Sequence, residues 1–204
     1  MDWSKEEIKF LKTLDNPDKI QRYLDSIEYN PNYECRSPRH VIKKGLAHCF
    51  EGALFAAAAL RFIGHKPLLV DMLAENDDDH VIAVFKERGH WGAVAKSNFT
   101  SLRYREPVYR SIRELVMSYF DFYFNLNGDK SLRSYSVPLN LTRFDRLNWA
   151  TTDEDLEYIG NSLESLRHFP VADKVMIEKL YKASESMMQA GLLGSKAEGL
   201  FKPE

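Results

Sequence analysis

Gly45-Leu46-Ala47-His48-Cys49-Phe50-Glu51-Gly52-Ala53, running on into Leu54-Phe55-Ala56-Ala57-Ala58-Ala59-Leu60-Arg61-Phe62-Ile63-Gly64, reads as a short turn feeding a buried helix whose first turn holds a cysteine. Counted from Cys49, small or apolar residues recur on the cysteine's own face at Ala53, Ala56, Ala57 and Leu60, the spacing of an α-helix. Gly64 stands just past the end, where a left-handed cap residue belongs. Alanines at this density let a helix lie close against a sheet. A helix N-terminus carries partial positive charge and unpaired N–H groups. A thiol placed there can have its pKa drawn from about 8.5 into the range of roughly 3.5–7.5, and its thiolate is the reactive form. The competing reading is a buried cysteine serving as a small hydrophobe.

On the N-terminal side, Ser4 with Glu7 forms a capping box that opens a helix through Ile8, Leu11 and Leu14. Asn16-Pro17 reads as cap and first position of a second helix carrying Ile20, Tyr23, Leu24 and Ile27. Glu28 to Arg36 is expected to be a loop turning at Asn30-Pro31-Asn32-Tyr33-Glu34, and Ser37-Pro38 starts a short helix closed by Gly45.

On the C-terminal side, Pro67 to Leu73 reads as a central strand, Glu75 to Asp79 as an acidic loop and His80 to Phe85 as a second strand. Glu87-Arg88-Gly89-His90 turns into a third strand, Trp91 to Lys96, making a hairpin. Ser111 to Phe124 has helical spacing, Ser134 to Leu141 reads as extended, and Thr151 with Glu154 is a capping box for a further helix through Leu156, Ile159, Leu163 and Leu166. Phe169-Pro170 breaks it, Ala172 to Gln189 is a last amphipathic helix, and Gly191 to Glu204 reads as a loosely held tail. Helices, then an antiparallel sheet, then helices again predict an α+β fold. Its expected parts are N-terminal helices in 1–36, a core in 37–141 and a helical extension in 142–204.

Composition narrows the function. The 204 residues are 44% hydrophobic, enough for a real core, and the net charge of −2 with scattered Lys and Arg argues against a nucleic-acid surface. The longest apolar run, Gly52 to Leu60, is too short to span a bilayer. Met1 to Phe10 lacks the basic-then-apolar layout of an export signal, so a cytoplasmic protein is expected. Two cysteines, Cys35 and Cys49, make no disulfide framework and suit a reducing compartment.

Cysteine catalysis needs a thiolate, a base and a group that fixes the base. His80 begins a strand directly after the acidic loop, at a sheet end that a helix N-terminus can meet. Alternation puts His80, Ile82 and Val84 on one face, and His80 can point at the thiol if that face is the helix side. The next strand ends in Ser97 and Asn98; the Asn98 side-chain carbonyl can accept from an imidazole N–H, with Ser97 as the fallback. Adjacent helix positions diverge by about 100°, so His48 is a poor base for Cys49 unless the helix starts after it. Glu51 is read as a residue favoured by the helix dipole. Asp77, Asp78, Asp79 and His80 could hold a metal, but consecutive aspartates more often form a solvated loop, so no metal and no cofactor are expected. Arg103 to Arg110 reads as a surface ion-pair segment or the wall of a substrate groove.

GLAHCFEGALFAAAALRFIG, followed by PLLVDM, DDDHVIAVF and HWGAVAKSN, resembles the core of the transglutaminase-like superfamily of papain-type cysteine enzymes. The likeness spans Ser37 to Tyr109 and implies a cysteine-bearing helix packed on an antiparallel sheet. It implies Cys49 as nucleophile, His80 as base and Asn98 as orienter. The family usually carries an aspartate four residues after the tryptophan of the third strand, where this chain has Ala95, so Ser97 or Asn98 would have to substitute.

The expected activity is a cysteine hydrolase acting on an amide or acyl bond of a peptide or small molecule through a Cys49 acyl-enzyme. The alternative is a binding module on the same scaffold, its C-terminal helices docking a protein partner. A coenzyme-A-dependent acyltransferase ranks last, since no glycine-rich phosphate loop is present.

Overall fold

The computed structural model describes residues 2–32 and 34–203; Tyr33 of the expected turn and Glu204 of the expected tail lie outside them. The N-terminal caps form as the sequence predicts. Ser4 and Glu7 exchange hydrogen bonds at the start of α1 (Lys5–Leu11), and Asn16 Oδ1 accepts from Lys19 N at the start of α2 (Pro17–Ser26). Within the expected loop lies β1 (Glu28–Tyr29), which runs parallel to β2 (Leu46–Ala47); between them stands α3 (Pro38–Lys44), ended by Gly45 at φ 64°. His48 is then the N-cap of α4 (Cys49–Phe62), so Cys49 is the first helical residue.

A meander of β3 (Leu68–Ala74), β4 (His80–Glu87), β5 (His90–Val94) and β6 (Arg105–Tyr109) follows, then α5 (Ile112–Phe120). The chain returns to the free edge of β3 through β7 (Leu132–Ser136) and β8 (Leu139–Asn140), and continues through α6 (Glu157–Glu164), β9 (His168–Pro170), α7 (Lys174–Ile177) and α8 (Glu185–Gly191). Among the described residues the sheet order is β6-β5-β4-β3-β7-β9, with β8 also pairing β3 and every pairing antiparallel. The architecture is α+β.

The sheet has a helix on each face, and strand alternation divides the core accordingly. Val81, Ala83, Phe85, Leu69 and Val94 pack with the buried alanines of α4 and with α1, α2 and α3. Val70, Met72, Ile82, Val84 and Ala93 pack instead with Leu115, Val116 and Tyr119 of α5.

Two expectations fail for local physical reasons. The expected helix over Ala172 to Gln189 divides into α7 and α8: Ala183 N donates to Gly128 O at 2.8 Å, and Ser184, in extended conformation, caps α8 instead. Its would-be apolar face finds no core, with Val175, Met176 and Tyr181 at 59%, 60% and 88% exposure. The Thr151–Glu154 capping box does not form. Arg39 Nη1 donates to Thr151 O and Ser37 Oγ to Thr152 O, which holds this stretch as a turn, and helix α6 begins at Glu157. Within the Arg103 to Arg110 segment, Arg103 pairs with Asp25 at 3.1 Å as a surface ion-pair segment would, and Arg105 to Tyr109 form the edge strand β6, with the Arg105 guanidinium stacked 3.9 Å from the Tyr119 ring centroid.

Candidate functional site

Cys49 sits at the first position of α4, where the residue keeps part of its surface facing a cavity of about 380 Å³. His80 lines the same cavity from the first position of β4, together with Cys35, His48, Tyr123 and the aspartates 71 and 77–79. The Asp79 carbonyl lies 3.8 Å from the Cys49 sulfur, so the thiol seats against the peptide units flanking His80. A volume of this size is in the range of small-ligand sites.

The imidazole is placed differently from the sequence expectation. His80 pairs with Met72 and shares strand parity with Ile82 and Val84, all on the α5 face of the sheet rather than the α4 face. Its ring lies edge-on to Tyr123 at 6.4 Å, and Nε2 is 2.9 Å from Leu102 O. A carbonyl oxygen only accepts, so Nε2 carries the proton and Nδ1 of the neutral ring is left as an acceptor. Among the described residues, sulfur and imidazole share the cavity without a hydrogen bond between them.

Among the described residues Ser97 and Asn98 line the cavity with His80, but neither hydrogen-bonds its imidazole. Ser97 Oγ accepts from Phe99 N at 3.0 Å. Asn98 Oδ1 accepts from Lys196 N, and its Nδ2 donates to Lys196 O, each at 2.8 Å. Just before them, the Ala95 N–H and C=O exchange hydrogen bonds with the Gln21 side-chain amide, each at 3.0 Å. That clamp takes the place of a strand neighbour, and β5 ends at Val94. Next to it, buried Lys96 donates to Leu24 O and Ile27 O at the end of α2, both at 2.7 Å. The group that fixes the His80 tautomer is the Leu102 main-chain carbonyl. No side-chain pattern could have pointed to it.

Electrostatically the cavity favours neutral groups. Burial pushes the Cys49 thiol up to about 12, overriding the Val81 and Phe50 amides that pull it down. Of the two readings of Cys49, burial rather than the helix terminus sets the direction of the shift. Burial likewise brings His80 down to about 4 against the Leu102 hydrogen bond, with Arg105 adding repulsion. Both cysteines are free, and burial raises Cys35 to about 11. Among the described residues, no three His, Cys, Asp or Glu side chains converge as a metal would require.

His48, set aside in the sequence as a base, does have the helix starting after it, but its Nε2 lies 2.8 Å from Glu34 O. Glu51 is more than a dipole partner, being wholly buried and accepting from Asn30 Nδ2, Arg36 N and His48 N.

The chain matches no protein-family model and no curated protein. The site therefore rests on its own geometry. Among the described residues no helix is long and apolar enough to cross a membrane.

The acidic wall gives a direct test of this electrostatic picture. Asp77 is raised to about 6, burial first, although Ser131 Oγ and Asp78 N donate to it. The folded state then holds a proton that the unfolded state releases between about pH 4 and 6. Stability from this group is present below that window and lost as pH rises through it. Asp77→Asn keeps an acceptor for Asp78 N and a donor for Ser131 Oγ. It is expected to be more stable than the parent at pH 7.5 by on the order of 1 kcal/mol after solvent screening, and equal to it near pH 4. Urea denaturation at the two pH values measures this; a gap that does not change with pH would show that Asp77 is not desolvated.

Proposed function

We propose that the cavity is a thiol-dependent acyl-transfer site of the transglutaminase-like type, acting as a hydrolase on an amide or related acyl bond. The observation that supports this reading is the shared cavity: Cys49 at a helix start and His80 at a strand start line one space. The Cys49 sulfur attacks the carbonyl carbon while its proton passes to His80 Nδ1. The amide C–N bond breaks as the imidazolium gives that proton to the leaving nitrogen, and a thioester remains. Water, deprotonated by the same nitrogen, attacks the thioester, releasing the acid and restoring the thiol. The Leu102 carbonyl keeps Nε2–H in place throughout and stabilises the imidazolium.

With a thiol near 12 and an imidazole near 4, the resting cavity opposes formation of the ion pair. The reactive form is one in which water or substrate has relieved that desolvation. The same observation favours a second reading, a binding pocket on this scaffold without turnover.

In a Cys35→Ser background, p-nitrophenyl acetate is expected to release a burst of nitrophenolate and leave an acetyl adduct on Cys49, read by peptide mass spectrometry. Cys49→Ala should lose the adduct, and His80→Ala should slow acylation about a hundredfold. A burst that survives Cys49→Ala, or a Cys49 that never acylates in the protein with its cavity open, would leave only the binding reading.

A further inference from the structure

The segment after α8 was expected to be a loose tail, yet Glu198, Gly199, Leu200 and Phe201 form one wall of the Cys49 cavity. Its attachment is concentrated at Lys196, whose N–H and C=O are both held by the Asn98 side chain at 2.8 Å. Asn98 is itself buried at the cavity rim, and both its Oδ1 and its Nδ2 are engaged with this one residue. Beyond it, Gly199 lies flat on the Tyr29 ring. A Cβ there would come within 2.7 Å of the ring carbon Cε1 and 3.2 Å of Asn98 Nδ2, so the fit requires glycine.

We infer that residues 195–201 are a strap that closes the Cys49 cavity and is released at the Asn98–Lys196 contact. Among the described residues, the side chains of the strap are lightly covered. Lys196 Nζ meets Glu28 at 2.6 Å, with the two side chains 41% and 73% exposed, and solvent-facing pairs hold little. Glu198 is exposed, and Leu200 and Phe201 are only partly covered. Gly194, at φ 74°, lies between the strap and α8. Upstream, Thr100 Oγ1 donates to Leu193 O at 2.6 Å, and Gly191 packs on Phe124 and Phe99, which anchors α8 independently of the strap. A segment with few buried contacts opens locally at a far smaller free-energy cost than the whole fold. Opening it removes one wall of the cavity and exposes Cys49, now only partly accessible, more widely to solvent and reagents.

The strap is testable without any assumption about turnover. In the Cys35→Ser background the only thiol is Cys49, and its alkylation by iodoacetamide at pH 8 reports access and thiolate content together. Asn98→Ala removes both bonds to Lys196, and Gly199→Val forces the strap off Tyr29. Each variant is expected to alkylate at least tenfold faster than the parent. A thiol returning from about 12 toward its ordinary value of 9.0 would raise the rate by up to about a thousandfold. Thermal unfolding checks that each variant stays folded; Gly199→Val, altering only the strap, carries the test if Asn98→Ala does not fold. Folded variants that alkylate at the parental rate would overturn the strap. If they alkylate faster but form no acetyl adduct with p-nitrophenyl acetate, the strap stands and the acyl-transfer reading falls.

Discussion

Glu51→Ala is expected to cost about 3–5 kcal/mol of stability, a large part of the roughly 5–15 kcal/mol that holds a domain together. The side chain has no solvent exposure and accepts from three donors: Asn30 Nδ2 at 3.0 Å, His48 N at 3.2 Å and Arg36 N at 3.3 Å. These donors come from the loop after β1, the entry to α3 and the N-cap of α4. One carboxylate therefore ties together the segments that frame the Cys49 cavity. Alanine leaves all three donors without their acceptor in a space largely closed to water, and each orphaned group carries its own desolvation cost. Position in the first turn of α4 adds a favourable interaction with the helix dipole, which alanine also forfeits. Glu51→Gln separates the contributions. It keeps one acceptor oxygen but turns an amide toward donors, so an intermediate loss is expected. Chemical denaturation of the three proteins gives the ranking Glu, Gln, Ala. A Glu51→Ala protein within 1 kcal/mol of the parent would mean that water replaces the carboxylate and that the cavity frame has another anchor.

The residues that wrote themselves into the sequence pattern are those whose partners are near in the chain. The helix from Cys49, the Ser4–Glu7 box, the Asn16 cap and the Gly45 terminator are all set by neighbours within four residues, and each forms. The alternation of β4 was equally readable, but not which of its faces meets α4. That depends on α5 covering the opposite face, and so His80 turned out to face α5. The Asn98 reading failed through two contacts at long range: Gln21 ends the strand at Ala95, and Lys196 occupies the amide that was to hold the imidazole. A main-chain carbonyl, Leu102 O, does that holding instead, and backbone groups leave no mark in residue identity. The two readings of the thiol could not be separated for a related reason. A helix start is visible in sequence, whereas the enclosure that desolvates it is built from the loop after β1, β4 and the segment beyond α8.

Gly52→Val is expected to destabilise the protein by about 3 kcal/mol or more, since overpacking at a contact that cannot relax lies at the upper end of such costs. Gly52 is on the second half-turn of α4, and a Cβ built there would lie 2.3 Å from Lys96 Cβ and 3.5 Å from Lys96 Cα. In an ordinary helix interior, replacing glycine by alanine gains about 1 kcal/mol. Here the steric term has to win, because the atom it meets is the first carbon of a side chain pinned at both ends. Lys96 Nζ is fixed on Leu24 O and Ile27 O, and the preceding Ala95 is held by Gln21. Moving Lys96 aside would break the cap on α2 and expose a buried ammonium to an apolar wall. Even Gly52→Ala should therefore lose stability despite its better helix propensity, with Gly52→Val losing more. Lys96→Gly removes the opposing Cβ, so the double variant Gly52→Ala/Lys96→Gly should lose less than the sum of the two single changes. Urea denaturation of the four proteins closes the cycle, and strict additivity would show that the backbones of α4 and the segment after β5 can move apart. If they hold their distance, this close approach is what brings the end of β5 over the first turn of α4, next to the cysteine.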